Sequence, residues 1–439
     1  MPLISRSPLF YGWRVVAVCF VAAVFTWGFG VFGASVYLSE VTRLRGWSVS
    51  LVSGAVTAFY LTNALSLTAI GSFVDRFGAR PVFVGGALAL GFGVASIGQV
   101  VAPWQLYATF VLMGFGYASL SLTGLTATIA PWFERYQGRS VAMALTGASF
   151  GAMIVVPLMV LAIGRFGFAL TVLGGGGLTI AVLVPLALAV LRYRGPQELG
   201  LQPDGDIAMP SSHGAAENPP ALPWTRATAM ATVPFWTAAV GFALGLTVQV
   251  GFLTHHVKLA APILGTVGAG WLVSATGLTG VLGRLWLARV ADRVNLRRYT
   301  AGILTLQATV LALIALFPTA PVLIGASLVY GFCLGQITTL SPIVVRREFG
   351  AASFGAIYSV AATVIALSSA FGPGLYGVLH DLFGGYGPVL GIAAAVELAA
   401  MATVLAGHAP DAIPARQTPE RSRSGRFASE GGGRQGKGP

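Results

Sequence analysis

The chain has 439 residues, of which 55% are hydrophobic and only 9% charged, against about 25% charged in ordinary soluble domains. That balance excludes a water-soluble enzyme. The net charge of +12 does not point to nucleic acid either, because the basic residues sit in short loops between long apolar runs and form no basic module.

Those runs have the length of about 20 residues needed to cross a hydrocarbon core about 30 Å thick. In chain order they predict twelve spans, near residues 15–37, 49–73, 81–101, 104–128, 140–163, 168–191, 235–256, 266–290, 299–317, 321–344, 354–379 and 388–407. The runs do not alternate polar with apolar residues, so they read as helices, which satisfy their own backbone hydrogen bonds in lipid, and not as barrel strands. Span one leads directly to span two without a small-residue cleavage site, which predicts that it stays in the mature protein.

An even number of spans puts both termini on one side of the bilayer. Of the 26 Lys and Arg residues, 21 fall on that side; Arg43, Arg45, Arg165 and Lys258 fall opposite, and Arg284 alone lies within a span. The positive-inside rule then makes both termini cytoplasmic. Cys19 and Cys333 both lie inside apolar runs, so neither a disulfide framework nor a four-ligand zinc site is expected, and no metal or cofactor is implied.

The longest internal polar segment, 192–232, is expected to be a cytoplasmic linker between an N-terminal six-helix bundle at 1–191 and a C-terminal one at 233–407. The tail, 408–439, is rich in Gly, Arg, Ser and Pro and is expected to be disordered. Internal repetition supports the division. GSFVDRFGAR at Gly71–Arg80, between spans two and three, is echoed by ARVADRVNLR at Ala288–Arg297, between spans eight and nine. Pro131 and Arg135 are matched by Pro342 and Arg346 in corresponding loops. Duplicated six-helix halves suggest a carrier that rocks about a site near the midplane. Gly28, Gly30 and Gly33 spell G-x-G-x-x-G inside an apolar span without a βαβ unit, which is helix packing and not a dinucleotide site. The Gly174–Gly177 run lacks the lysine and hydroxyl of a phosphate loop, so no ATP is implied and transport should be secondary.

The first loop, with Gly71, Asp75, Arg76, Gly78 and Arg80, resembles the loop signature of the major facilitator superfamily. Four further segments resemble its monocarboxylate porter branch, including prokaryotic relatives of the oxalate and formate exchanger type. They are YGWRVV at Tyr11–Val16, PWFERYQGRSVAMALTGASFG at Pro131–Gly151, ELGLQPDG at Glu198–Gly205 and FLTHHV at Phe252–Val257. The resemblance implies an all-α membrane protein with twelve transmembrane helices in two pseudo-symmetric six-helix bundles, residing in a bacterial-type inner (plasma) membrane. It also implies a gating latch made of Gly71, Asp75, Arg76, Gly78 and Arg80, with Asp292 and Arg293 in a second copy that has Ala288 and Asn295 in place of glycines.

Arg284 lies eight residues before Asp292, about 12 Å inside the end of span eight. A charge there costs about 2.5–3.5 kcal/mol on insertion scales, so it should face a polar cavity, where its guanidinium fork suits a carboxylate. In the resembling porters an arginine at this place binds substrate carboxylate. Span eleven contains neither Lys nor Arg, whereas divalent-oxalate exchangers use a second basic residue there. One buried cation suits one carboxylate, so a small monovalent acid such as lactate or pyruvate is expected, with an oxalate/formate-type exchanger or a drug and amphiphile exporter as alternatives. His255, read at the outer end of span seven, is a candidate gate or proton acceptor. Tyr117 and Tyr330 sit at similar stages of the two halves and could donate phenol hydrogen bonds to an anion. Symport with a proton is expected, but the animal porters' aspartate one turn before the arginine is Gly280 here, so their relay does not transfer residue by residue. Glu397 in span twelve reads as an intramembrane packing acid.

Overall fold

The computed structural model describes residues 10–205, 224–350 and 353–407. The expected tail, the middle of the linker and several tail arginines lie outside the described residues. Eleven helices are long and apolar enough to cross a membrane. In chain order the spans are α1 (Tyr11–Arg45), α2 (Val49–Phe77), α3 (Ala79–Gln99), α4 (Pro103–Trp132), α5 (Gln137–Phe166) and α6 (Phe168–Val190). There follow α7 and α8, continuous over Val233–Val290, then α9 (Leu296–Leu316), α10 (Ala320–Phe349), α11 (Phe354–Phe383) and α12 (Tyr386–Ala406).

The long segment accounts for the twelfth span. Its 58 residues would make a straight rod of about 87 Å, nearly three times the hydrocarbon core. The chain instead turns at Gly265, whose φ of 72° and ψ of 166° are open only to glycine, with Pro262 just before it. We therefore take α7 as 233–264 and α8 as 266–290. They lie side by side on α10: Tyr330 stacks on Phe252 of α7, and Phe332 faces Gly283 of α8.

Local chemistry sets the other helix ends. Side-chain oxygens of Ser48 and Asn295 accept the backbone N–H groups of Leu51 and Arg298 at the starts of α2 and α9, satisfying donors that a helix start leaves free. Small residues set the packing. Gly147 and Gly151 of α5 lie against Phe20, Val24 and Gly28 of α1, so the G-x-G-x-x-G stretch is a helix crossing. In the second half Gly372 of α11 meets Thr247 and Gly251 of α7, and Gly280 of α8 meets Gly335 of α10. The crossing of α1 with α5 thus has its counterpart in α7 with α11. Both α1 and α5 carry π-helical turns where they meet, at Thr26–Phe32 and Gly151–Val155, a deviation common at functional sites. In α11 the helix breaks after Ala370 and restarts at Gly372. Cys19 and Cys333 are free and buried.

The two bundles meet along pseudo-equivalent pairs, α2 with α11 and α5 with α8. Across the first, Ser50 N–H donates to Asp381 Oδ2 at 2.8 Å and Gly374 N–H to Thr57 Oγ1 at 2.9 Å. Across the second, Ser274 Oγ donates to the Ala152 carbonyl at 3.1 Å and Arg284 Nη1 to Ser149 Oγ at 3.2 Å. These bonds run from the face opposite the termini to mid-helix. At the level of the last of these bonds Phe150 of α5 and Arg284 of α8 are exposed, as is Thr146 one turn nearer the termini.

Candidate functional site

Arg284 makes the bond across the seam that lies nearest the termini. Its partner Ser149 comes from the opposite bundle, two residues before the π-helical turn of α5. A serine hydroxyl is neutral, and the guanidinium forms no ion pair with an acidic side chain among the described residues. It neither snorkels away from the seam nor spends its charge on a fixed carboxylate. Such a group presents unused donors to whatever enters between the bundles.

The other proposed binding residues are distributed differently. Tyr117 on α4 is 8% exposed and sits between Trp27 of α1 and Phe59 of α2, with ring centroids 5.5 and 5.1 Å away. Its hydroxyl takes no partner among the described residues. Tyr330 is fully enclosed in the second bundle, stacked on Phe252 at 4.3 Å. His255 is 1% exposed, with Nδ1 2.8 Å from the Tyr386 hydroxyl and Nε2 3.0 Å from the Pro373 carbonyl. The expectation that His255 marks the outer end of span seven is corrected: α7 continues to residue 264, about two turns further. The structure places Arg284 at the seam and Tyr330 and His255 inside the second bundle, and it does not bring the three together.

The expected latch lies at the termini face. Gly78 closes α2 with a φ of 87°, so a side chain there would be strained. It borders a cleft of about 200 Å³ shared with Asp75, Pro131 and Arg194. Asp75 and Arg76 are exposed, Arg76 lying 5.2 Å from the Phe77 ring, and neither enters an ion pair among the described residues. Arg80 is likewise exposed, and Gly71 has open space around it. In the second copy Asp292 and Arg293 form a single 3-10 turn, and Arg347 of α10 donates to the neighbouring Ala291 carbonyl at 2.9 Å.

Two arrangements carry more than their sequence suggests. Three of the four porter-like segments converge on one clasp at the termini face: the carboxylate of Asp204 accepts the backbone N–H groups of Glu134, Arg135 and Tyr136 at 3.2, 2.8 and 3.2 Å. Tyr11 stacks on Trp132 and donates to the Val190 carbonyl. Arg297, read from sequence only as a topology charge, is 7% exposed and forks onto both oxygens of Glu348 at 2.6 and 2.8 Å. It also donates to Thr237 and to the carbonyls of Pro234 and Val404, tying the ends of α7, α9, α10 and α12 together. Its repeat counterpart, Arg80, is exposed, so the duplicated motif alone did not reveal this role.

Comparison with known proteins agrees with this architecture. The Major Facilitator Superfamily profile matches residues 18–373 and 259–432. An oxalate:formate antiporter of Oxalobacter formigenes is 28% identical over 384 residues, 84% of each chain. Monocarboxylate transporter 3 of Rattus norvegicus is 28% identical over 395 residues, 86% of this chain and 75% of that one. Among solved structures, the nucleoside transporter NupG superposes with a TM-score of 0.71 at 13% identity, over 91% of this chain and 99% of its own. A bacterial homolog of the lysosomal transporter Spinster, in an inward-facing, unoccupied conformation, gives 0.66 at 14% identity, over 91% and 95%. With twelve helices in two related bundles and a family profile covering most of its length, the chain belongs to the Major Facilitator Superfamily.

Proposed function

We propose that this protein is a secondary carrier of small monocarboxylates, of lactate or pyruvate size, working by alternating access with proton coupling. The observation that carries the reading is Arg284: an exposed guanidinium at the seam between the bundles, held by a hydroxyl of the opposite bundle and by no acidic group among the described residues. An incoming carboxylate would replace Ser149 as its acceptor and gain a charge-assisted, bidentate contact. Because Arg284 and Ser149 belong to opposite bundles, that exchange also alters a bond across the seam, which couples occupancy to rocking. The similarity to monocarboxylate transporters and to an oxalate:formate antiporter supports an organic anion. The absence of Lys and Arg from α11 favours one carboxylate over two.

With the termini cytoplasmic, as the loop charges indicate, Arg284 lies on the cytoplasmic side of the middle of α8, and the latch residues Asp75 and Arg76 with Asp292 and Arg293 engage when the cytoplasmic face closes. The test is uptake in proteoliposomes with formate, lactate, pyruvate and oxalate as probes. Arg284→Gln is expected to abolish uptake while membrane insertion and monodispersity are kept. Wild-type transport by that variant, or a preference for oxalate, would overturn the reading.

A further inference from the structure

Buried polar side chains without protein partners are unevenly spread. Among the described residues, eight of the eleven such atoms belong to the second bundle: Gln249 Oε1, His256 Nδ1, both amide atoms of Gln307, the hydroxyls of Tyr330 and Tyr376, and both carboxyl oxygens of Glu397. Five of these residues come from five different helices, α7, α9, α10, α11 and α12, and converge on one region. Glu397 Oε2 lies 3.5 Å from where a Cβ on Gly245 would stand, and Leu304 meets the same glycine. Gln249 and Gln307 follow Gly245 and Leu304 by one turn. Tyr330 on α10 and Tyr376 on α11 are buried with their hydroxyls unpartnered, as the Glu397 carboxyl is.

A packing residue explains this poorly. Leaving one polar group unpaired in an apolar medium costs about 1–3 kcal/mol, more for a charged one, and an ionised carboxylate with no donor in reach is the most costly member of the set. In a membrane interior such a group is a functional candidate by default. A ladder of protonatable side chains also leads to it from the face opposite the termini. Asp381 Oδ1 is 3.2 Å from His380 Nδ1, the His380 and Tyr386 ring centroids are 4.6 Å apart, and the Tyr386 hydroxyl is 2.8 Å from His255 Nδ1. The His255 ring is 5.6 Å from that of Tyr376, beside Glu397. Asp381 at the outer end also accepts Ser50 N–H across the seam, so the ladder begins on a bond that must break when that face opens.

We propose that Glu397 is the binding site of the coupling proton, reached from the face opposite the termini through Asp381, His380, Tyr386 and His255. This inference rests on the reading of the protein as a carrier of small organic anions. An O–H bond forms at the Glu397 carboxylate when that face is open and breaks after rocking, releasing the proton to the other side. One proton moving with one monovalent anion leaves the cycle electroneutral. The remaining titratable or charged groups around the site are Cys333 on α10, His256 and Lys258 on α7, and Arg297, which is held by Glu348 and the Val404 carbonyl about 10 Å along α12.

The test uses the full chain in liposomes with the membrane potential clamped, lactate and pyruvate as probes and an entrapped pH dye. Glu397→Gln keeps the shape of the side chain and fixes it in an uncharged form; it is expected to retain measurable exchange of labelled for unlabelled acid. Its accumulation under a pH gradient should fall to the level reached without a gradient, and acid-linked proton entry should disappear. Accumulation at the wild-type level by this variant overturns the proposal, as does a wild type driven by sodium or by no cation gradient. If the Gln variant is not monodisperse, Glu397→Asp carries the test: accumulation retained with a displaced pH profile supports the site, and an unchanged profile overturns it. The Arg284 reading fails separately, through exchange retained by Arg284→Gln.

Discussion

Arg284 and Arg297 show how differently two arginines of one half can be used. Arg284 donates to one neutral hydroxyl and keeps spare donors, whereas Arg297 has committed its fork to Glu348. Replacing Arg284 by Lys keeps the charge and removes the planar fork, so KM for a monocarboxylate is expected to rise about tenfold, by loss of a bidentate contact; an unchanged KM would mean that the fork is not engaged. Arg297→Ala strands a nearly buried carboxylate at a cost of about 3–5 kcal/mol, read as a clear drop in the thermal unfolding midpoint in detergent. Sequence made Arg284 conspicuous because it was the one basic residue inside a span. Arg297 was hidden because its partners, Thr237, Glu348 and Val404, lie 51 to 107 residues away, and no local pattern announces such a pairing.

Among elements, the spans themselves were legible, since hydrophobic length is fixed by the bilayer and not by tertiary contacts. Their ends were less so. Helices continue beyond the apolar stretches that the sequence marks, as α1 does to Arg45 and α7 to residue 264, and His255 is interior because Tyr386 of α12 and Pro373 of α11 enclose it. The clasp was visible as three motifs but not as one object: Asp204 reaches the 134–136 turn from 68 to 70 residues away. Its removal has a local readout. Asp204→Ala is expected to speed amide hydrogen exchange at Glu134, Arg135 and Tyr136 while leaving exchange in α8 unchanged; unchanged rates at those three amides would show the clasp to be dispensable.

At the scale of the whole molecule, the repeat of GSFVDRFGAR in ARVADRVNLR predicted two related bundles, and the structure adds how they meet. The α2–α11 and α5–α8 crossings each supply two hydrogen bonds, which run from the face opposite the termini to the middle of the helices. No sequence pattern gives this, because conformational state is a property of the seam and not of either half. If rocking about this seam is obligatory, Thr57→Cys with Gly374→Cys, which face each other across α2 and α11, bridged by a short thiol cross-linker, should arrest uptake, and a reducible linker should restore it on cleavage. Uptake that persists in the bridged protein would contradict a rocking cycle.

Both native sulfhydryls, Cys19 and Cys333, are shut away inside the bundles, and an occluded thiol is chemically quiet. The natural chain is therefore already a blank canvas for spectroscopy: a pair of introduced dyes or spin labels on the two halves would report their separation through a turnover without any prior mutagenesis of the background.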